Sequence, residues 1–209
     1  MPADRLHLVR HGEVHNPARV LYGRLPNFRL SAEGRAMARS AADHVRALGR
    51  PVSALYASPL QRTRESAAPF AELFEIAPVV DERVIEPTNV FEGKRMKRAV
   101  LNPLNWRYLV RPEIPSWGEP YTQVVARMDA AMTEAWDDTD GGDVVIVSHQ
   151  LPIWVTHLSV AGEPLRHDPR KRRCALSSVT SFERVGDRWR EVDYAEPAST
   201  VGATDVGAV

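Results

Sequence analysis

A chain of 209 residues is long enough for one substantial core, and 44% hydrophobic with 26% charged residues is the balance of an ordinary globular domain. Its 27 basic residues match 27 acidic ones, so no global field draws it to nucleic acid or an anionic membrane surface, and any anion site must be built locally. The single cysteine, Cys174, excludes an intramolecular disulfide and a cysteine-based metal cluster.

Met1 to Arg5 is polar and runs straight into the first strand, an opening in which no signal peptide is expected. No apolar stretch approaches the length that crosses a bilayer, and the expected setting is cytoplasmic. Leu6-His7-Leu8-Val9 has the length and bias of a buried strand and stops at Arg10-His11-Gly12. After a loop punctuated by Gly, Pro and Asn, Ser31 caps a helix over Ala32–Leu48 that ends at Gly49 and Pro51. Val52–Ala57 reads as a second strand. Ser58-Pro59 then opens a helix over Leu60–Phe74, with Pro69 as an interruption. Ile76–Val80 reads as a third strand. Residues 81–119 break the rhythm with prolines, a basic run and aromatics, and are expected to form a lid with a short helix near Lys94–Leu101. Glu119–Trp136 is a long amphipathic helix, Val144–Val147 the clearest buried strand, and Pro152–Val160 a helix. Val179–Arg184 and Trp189–Tyr194 form a hairpin around Gly186-Asp187, and residues 195–209 are an unpatterned tail expected to be disordered. The alternation implies one domain over 1–194, an α/β/α sandwich with a mostly parallel central sheet.

Four α/β strands are each followed by residues suited to phosphate: Arg10 and His11, then Ser58 to Arg62, then the acidic loop leading to Glu86, then Ser148-His149. If the strands are parallel, these ends converge on one sheet edge, where open α/β sheets bind ligands. Arginine offers a planar fork for phosphoryl oxygens. Arg10, Arg62 and His149 would hold the phosphoryl group, while His11, neutral on the attacking nitrogen, would form phosphohistidine. That nitrogen is free only if the other one donates to a fixed acceptor such as a backbone carbonyl. Glu86, among the apolar Val84, Ile85, Val90 and Phe91, is the candidate that protonates the leaving alkoxide and then deprotonates water. The guanidinium groups supply the positive charge, so no metal or cofactor is called for.

With these residues in place, the chain resembles the histidine phosphatase superfamily, also called phosphoglycerate mutase-like. Leu8-Val9-Arg10-His11-Gly12-Glu13 matches its opening signature, and Gly23 followed by Leu30-Ser31-x-x-Gly34 its glycine and helix start. Ala57-Ser58-Pro59-Leu60-Gln61-Arg62-Thr63, Phe91-Glu92-Gly93, Gly118-Glu119 and Val147-Ser148-His149 match further motifs in order, so the resemblance covers most of residues 6–182. It implies a three-layer α/β/α fold, His11 as the phosphorylated nucleophile, and a phosphate pocket of Arg10, Arg62 and His149 that includes Gly23. Three positions depart from the pattern. The family's Asn seven residues after the motif arginine is Pro17 here, with Asn16 one earlier as the candidate phosphate contact. Glu86 lies six residues before Glu92 instead of seven, which keeps Glu82 as a rival. Gln150 stands where glycine is common and adds a polar group to the pocket.

The implied activity is a metal-independent phosphatase acting on a small phosphomonoester. A phosphoglycerate-type mutase is an alternative, although the chain has no counterpart of the extended substrate-binding insert. A phosphate-binding module without catalysis is another. The basic run Arg166 to Arg173 reads either as a solvated loop or as arginines reaching over the pocket to a second anionic group, and Lys94, Arg95, Lys97 and Arg98 invite the same two readings. Trp106, Tyr108 and Trp117 read as packing or as a stacking platform, His7 as a satisfied strand histidine, and Cys174 as a buried filler. His44, His157 and His167 carry no signal. A homodimer through an edge strand or the lid is compatible with the sequence.

Overall fold

The pleat of the buried strands decides the layers. Leu6 and Leu8 on strand β1 (Arg5–Arg10) lie opposite Val144 and Ile146 on β4 (Asp143–Ser148), while His7 and Val9 lie opposite Val145 and Val147. Successive side chains point to opposite faces. The first set packs into a core with Met128, Met132 and Val155, while Val9, Val145 and Val147 of the second pack with Ala41, Val45 and Phe70. The computed structural model describes residues 2–108 and 118–198.

The six strands run in the order β3-β2-β4-β1-β5-β6. Strands β2 (Val52–Ala57) and β3 (Val79–Val80) are parallel to β1 and β4, and the hairpin β5 (Val179–Val185) and β6 (Arg188–Ala195) adds two antiparallel strands. Helices α1 (Ala32–Ala47) and α2 (Gln61–Phe74) cover one face. Helices α4 (Tyr121–Asp137) and α5 (Gln150–Ala161) cover the other. A short α3 (Met96–Leu101) lies between α2 and α4 in the chain. This is the three-layer α/β/α arrangement that the alternation of elements implies.

Two expectations need correction. Pro69 does not interrupt α2, which continues to Phe74; the missing amide costs one hydrogen bond, and burial of Ala67 and Phe70 against the sheet holds the helix together. The third strand is only Val79–Val80, paired to Tyr56 and Ala57 and half exposed at the sheet edge. At the end of the described chain, Ala195 completes β6 and Ala198 is buried beside Met37 and Leu176, while the rest of the expected tail, 199–209, lies outside the described residues. Trp117 lies outside them as well. Among the described residues, no helix is long and apolar enough to cross a membrane.

Candidate active site

Arg10 closes β1 opposite Ser148 at the end of β4, and Ala57 closes β2 opposite Val147. His11, Ser58 and His149 therefore leave the sheet at the same edge. The His11 amide donates to the Ser148 carbonyl and the Ser58 amide to that of Val147, so the ladder continues one step past each strand. Arg62 comes from the first turn of α2, and α5 begins at Gln150, directly after His149.

Arg62 sets the state of both histidines. A guanidinium can only donate. Its Nε lies 3.3 Å from His11 Nε2 and its Nη2 3.2 Å from His149 Nδ1, so both ring nitrogens act as acceptors. The opposite nitrogens carry the protons: His11 Nδ1 donates to the Gly12 carbonyl at 2.8 Å, and His149 Nε2 to Ser58 Oγ at 2.8 Å. Arg62 is itself aimed by the Gly23 carbonyl, 2.7 Å from Nη2, and by the Tyr22 ring, 4.7 Å from its central carbon. Gly23 has φ +39°, and a Cβ there would lie 2.2 Å from Glu92 Oε1, so a larger residue at that turn is strained and must displace the Glu92 side chain. Arg10 is fully buried and donates to the Cys174 carbonyl at 2.6 Å.

Burial is the largest influence on the ionisable groups here. It holds His11 well below its usual value of 6.5, and the charges of Arg62 and Arg10 push the same way against the hydrogen bond to Gly12. His149 is likewise held well below 6.5 by burial, then by Arg62 and by His11. For Glu86 burial raises the pKa above its ordinary 4.5, opposed by Arg62 first and Arg172 next. Glu86 Oε2 lies 3.7 Å from His149 Nδ1, and its buried Oε1 has no hydrogen-bond partner among the described residues. Glu82, the rival, is exposed in the 3-10 turn Glu82–Val84 that precedes Glu86. Ser148 Oγ anchors that turn by donating to the Val84 carbonyl at 2.7 Å.

Other candidates are placed differently. The Asn16 side chain clamps Val20, donating to its carbonyl at 2.8 Å and accepting from its amide at 3.3 Å, which ties it to the loop. Gln150 Oε1 accepts from Arg172 Nη1 at 3.2 Å on the rim. Lys94, Arg95 and Arg98 line a separate open cavity of about 580 Å³ with Ala18 and Val20. Trp106 is exposed, and Tyr108 packs edge-on to Phe91 in a small core.

Several residues at the site escape a reading of the sequence. Tyr22 has no motif to mark it. Glu119, quoted for its motif but given no role, accepts from Arg127 Nε at 2.9 Å and from its Nη2 at 3.0 Å and lies 3.6 Å from Arg24. Arg24 in turn donates to the backbone carbonyl of Glu86, and Arg127 to that of Arg83, so these charges brace the segment that carries the acid. The Gly-Glu pair before α4 was the available signal. His167, which carries no signal, meets Arg172 of the basic run Arg166 to Arg173, and Arg172 also reaches Gln150.

The geometry can be set beside known proteins. The family model for the histidine phosphatase superfamily (branch 1) matches residues 6–197. The protein Rv0525 of Mycobacterium tuberculosis (strain ATCC 25618 / H37Rv) is 48% identical over 203 residues, covering 95% of this chain and 100% of that one. A protein of Erwinia tasmaniensis described as a probable phosphoglycerate mutase, GpmB, is 28% identical over 184 residues, 84% of each chain. Among solved structures, a phosphoserine phosphatase variant from Entamoeba histolytica in complex with phosphoserine aligns with a TM-score of 0.76 at 18% identity, over 93% of this chain and 98% of that one, a likeness of fold.

Proposed function

We propose that this chain, which belongs to the histidine phosphatase superfamily, hydrolyses a small phosphomonoester through a phosphohistidine on His11. One observation carries the reading. His11 is buried, tied through Nδ1–H to the Gly12 carbonyl, and so presents the Nε2 lone pair among the guanidinium groups of the pocket. A phosphoryl group entering there takes over the donors that Arg62 directs at the two histidines, and Arg10 adds charge from the buried side.

The reaction then runs in two in-line steps. His11 Nε2 attacks phosphorus as the ester P–O bond breaks, and Glu86 gives its proton to the departing alkoxide, releasing the alcohol. Water loses a proton to the Glu86 carboxylate and attacks phosphorus. The P–N bond breaks, its electron pair returns to His11, and inorganic phosphate leaves. A carboxyl group whose pKa is raised by burial suits both duties, and its Oε1, without a hydrogen-bond partner among the described residues, is available to the bridging oxygen.

The test is phosphate release from a panel of phosphomonoesters in the presence of chelator, comparing wild type with His11→Ala. Turnover that falls at least a thousandfold in the variant is the expected result, in the range seen when a catalytic nucleophile is removed (~10³–10⁶). Equal turnover by both proteins would sink the assignment. The likeness to GpmB favours a second reading, return of the phosphoryl group to a bound phosphoglycerate. An isomerised ester formed without release of phosphate would decide for that reading.

A further inference from the structure

Glu86 sits on a stretch of chain that cannot hold it in place by itself. It lies past the 3-10 turn Glu82–Val84, outside every helix and strand, and the Pro87 that follows brings no amide donor. Its position comes instead from three side chains that reach in from other elements and donate to backbone carbonyls. Arg127 of α4 donates to the carbonyl of Arg83, Ser148 at the end of β4 to that of Val84 at 2.7 Å, and Arg24 of the loop after β1 to that of Glu86 itself. Two of these donors are arginines, and one carboxylate serves both. Glu119 accepts from Arg127 at 2.9 and 3.0 Å, and its Oε2 lies 3.6 Å from Arg24 Nη2. The Glu119 side chain is only 17% exposed, so solvent and salt screen these charges less than they would on the open surface.

Arg24 also belongs to the other half of the site. Its neighbour Gly23 aims Arg62 through the carbonyl that accepts from Nη2, and the Arg24 amide donates to Glu92 Oε1 at 2.9 Å. Two backbone bonds join the same segments: the Leu21 amide donates to the Lys94 carbonyl at 2.9 Å, and the Gly93 amide to the Leu21 carbonyl at 2.8 Å. Just past the acid, Asn89 pairs with Gly118 in an antiparallel bridge, and a Cβ on Gly118 would lie 2.1 Å from the Thr88 carbonyl oxygen. The chain leading to Glu119 therefore lies against the chain leading away from Glu86. The turn that orients the phosphoryl clamp, the segment that carries the acid and the start of α4 are bonded into one unit, and their charges meet at Glu119.

We propose that Glu119 is a positioning residue of the reaction: through Arg24 and Arg127 it fixes the backbone of residues 83–86, and with it the reach of the Glu86 carboxyl to the leaving oxygen of a phosphoryl group held by Arg62. This rests on the phosphatase reading, because the acid that it aligns is the one used there. The consequence is selective. A loosened brace costs proton transfer to the leaving group, while His11, Arg10, Arg62 and His149 keep their own contacts with the phosphoryl group.

E119Q keeps the shape of the side chain, removes its charge and turns an amide group toward a guanidinium. It should slow esters of poor leaving groups about tenfold in kcat and activated aryl esters less than about twofold, with KM and the affinity for inorganic phosphate changed by less than about twofold. Added to Glu86→Gln, it should bring no further loss, because the group that it positions no longer transfers a proton. R24Q withdraws one arm of the brace and should give the same leaving-group pattern, and it carries the test if E119Q fails to fold. E134Q is the control. Glu134 pairs with Arg83 at 2.7 Å on the exposed side of the same turn, and its loss should leave the leaving-group dependence unchanged. Equal slowing of all esters, losses that multiply with those of Glu86→Gln, an unchanged rate in E119Q or an equal shift in E134Q would each overturn the proposal. If wild type releases phosphate from no ester, that failure belongs to the phosphatase reading. The brace is then read by amide hydrogen exchange. Exchange about tenfold faster over residues 83–92 in E119Q, with the β4 amides unchanged, sustains it, and equal exchange in the two proteins overturns it.

Discussion

Glu86 has to hold a proton and then give it up, and its surroundings pull both ways. Burial favours the neutral acid, while Arg62, Arg172 and Arg10 favour the carboxylate, and burial wins. At high pH the rate should fall as Glu86 loses the proton owed to the leaving group. At low pH it should fall only once His11 is protonated, well under its usual 6.5. Glu86→Gln should slow esters of poor leaving groups by ~10²–10³, in line with loss of a general acid. It should slow activated aryl esters far less, which a series of leaving groups of rising pKa measures. The same substitution has a thermodynamic signature. A carboxyl whose folded pKa lies above 4.5 favours the fold below that pH and loses this contribution as pH rises through the folded value. Glu86→Gln should therefore raise Tm at pH 8 by a few degrees, since ~1 kcal/mol moves a domain of this size by roughly 2–4 °C. The gain should vanish near pH 4. His11 and His149 act oppositely, because folded values below 6.5 make stability fall as pH drops beneath 6.5, in both proteins alike. At this scale His11, Arg10, Arg62 and His149 can be read from the sequence, since each stands at or just past a strand end. Arg172 lies in a basic run for which the sequence offers two readings, and Tyr22 and His167 have no local signal, because they reach the site through loop contacts that no local spacing encodes.

The elements meet the site through backbone packing as much as through side chains. Ser31 caps α1 by accepting from the Gly34 amide at 2.8 Å and donates to Glu13 at 2.7 Å. A Cβ on Gly34 would lie 2.0 Å from the Glu13 carbonyl oxygen, and one on Gly12 2.2 Å from that of Gly34. The helix start and the Arg-His-Gly turn are thus in main-chain contact, and that turn carries the carbonyl that holds His11 Nδ1. Gly34→Ala should cost ~2–4 kcal/mol, as overpacking against backbone does, and should lower kcat by moving Gly12. The comparison is Gly49→Ala, where φ is +69° but the added carbon meets nothing, and ~1–2 kcal/mol with unchanged kcat is expected. Urea midpoints and phosphate release measured on both variants decide it, and equal costs would remove the packing argument. The motif glycines are visible in the sequence, but their contact is not, because it depends on how the loop after β1 folds onto α1. Element boundaries fail for similar reasons. Ile76 and its neighbour look like strand, yet only Val79 and Val80 find partners on β2.

Across the molecule, the two ends of the parallel strands have different tasks. Five residue steps along β4, about 16 Å of strand, separate Ser148 at the site from Asp143 at the opposite edge. Asp143 is fully buried, accepts from Arg50 Nε and Nη2 at 2.8 Å each and from His7 Nε2 at 3.2 Å, and His7 Nδ1 lies 2.8 Å from Ser181 Oγ. Serine, histidine and aspartate stand in line as they do in a hydrolase, but all three side chains are buried between β1, β4 and β5, so the line is a clamp across three strands. Burial pushes the Asp143 carboxyl up, yet hydrogen bonds and charge from His7 and Arg50 outweigh it and leave the pKa below 3.8. The clamp's stabilisation is present above that value and is lost as pH falls through the folded one. Asp143→Ala removes the acceptor of buried His7, while Arg50, about a third exposed, keeps Asp4 at 3.9 Å, and it should cost ~1–3 kcal/mol, the scale for leaving a buried polar group unsatisfied. Because the altered edge is remote from His11, kcat of the folded protein should change less than twofold at a temperature where the variant remains native. Urea unfolding and initial rates on the same preparation separate the two. A tenfold loss of kcat with unchanged stability would mean that the edge opposite the pocket takes part in catalysis, and that the division of the sheet between holding the fold and doing the chemistry is wrong.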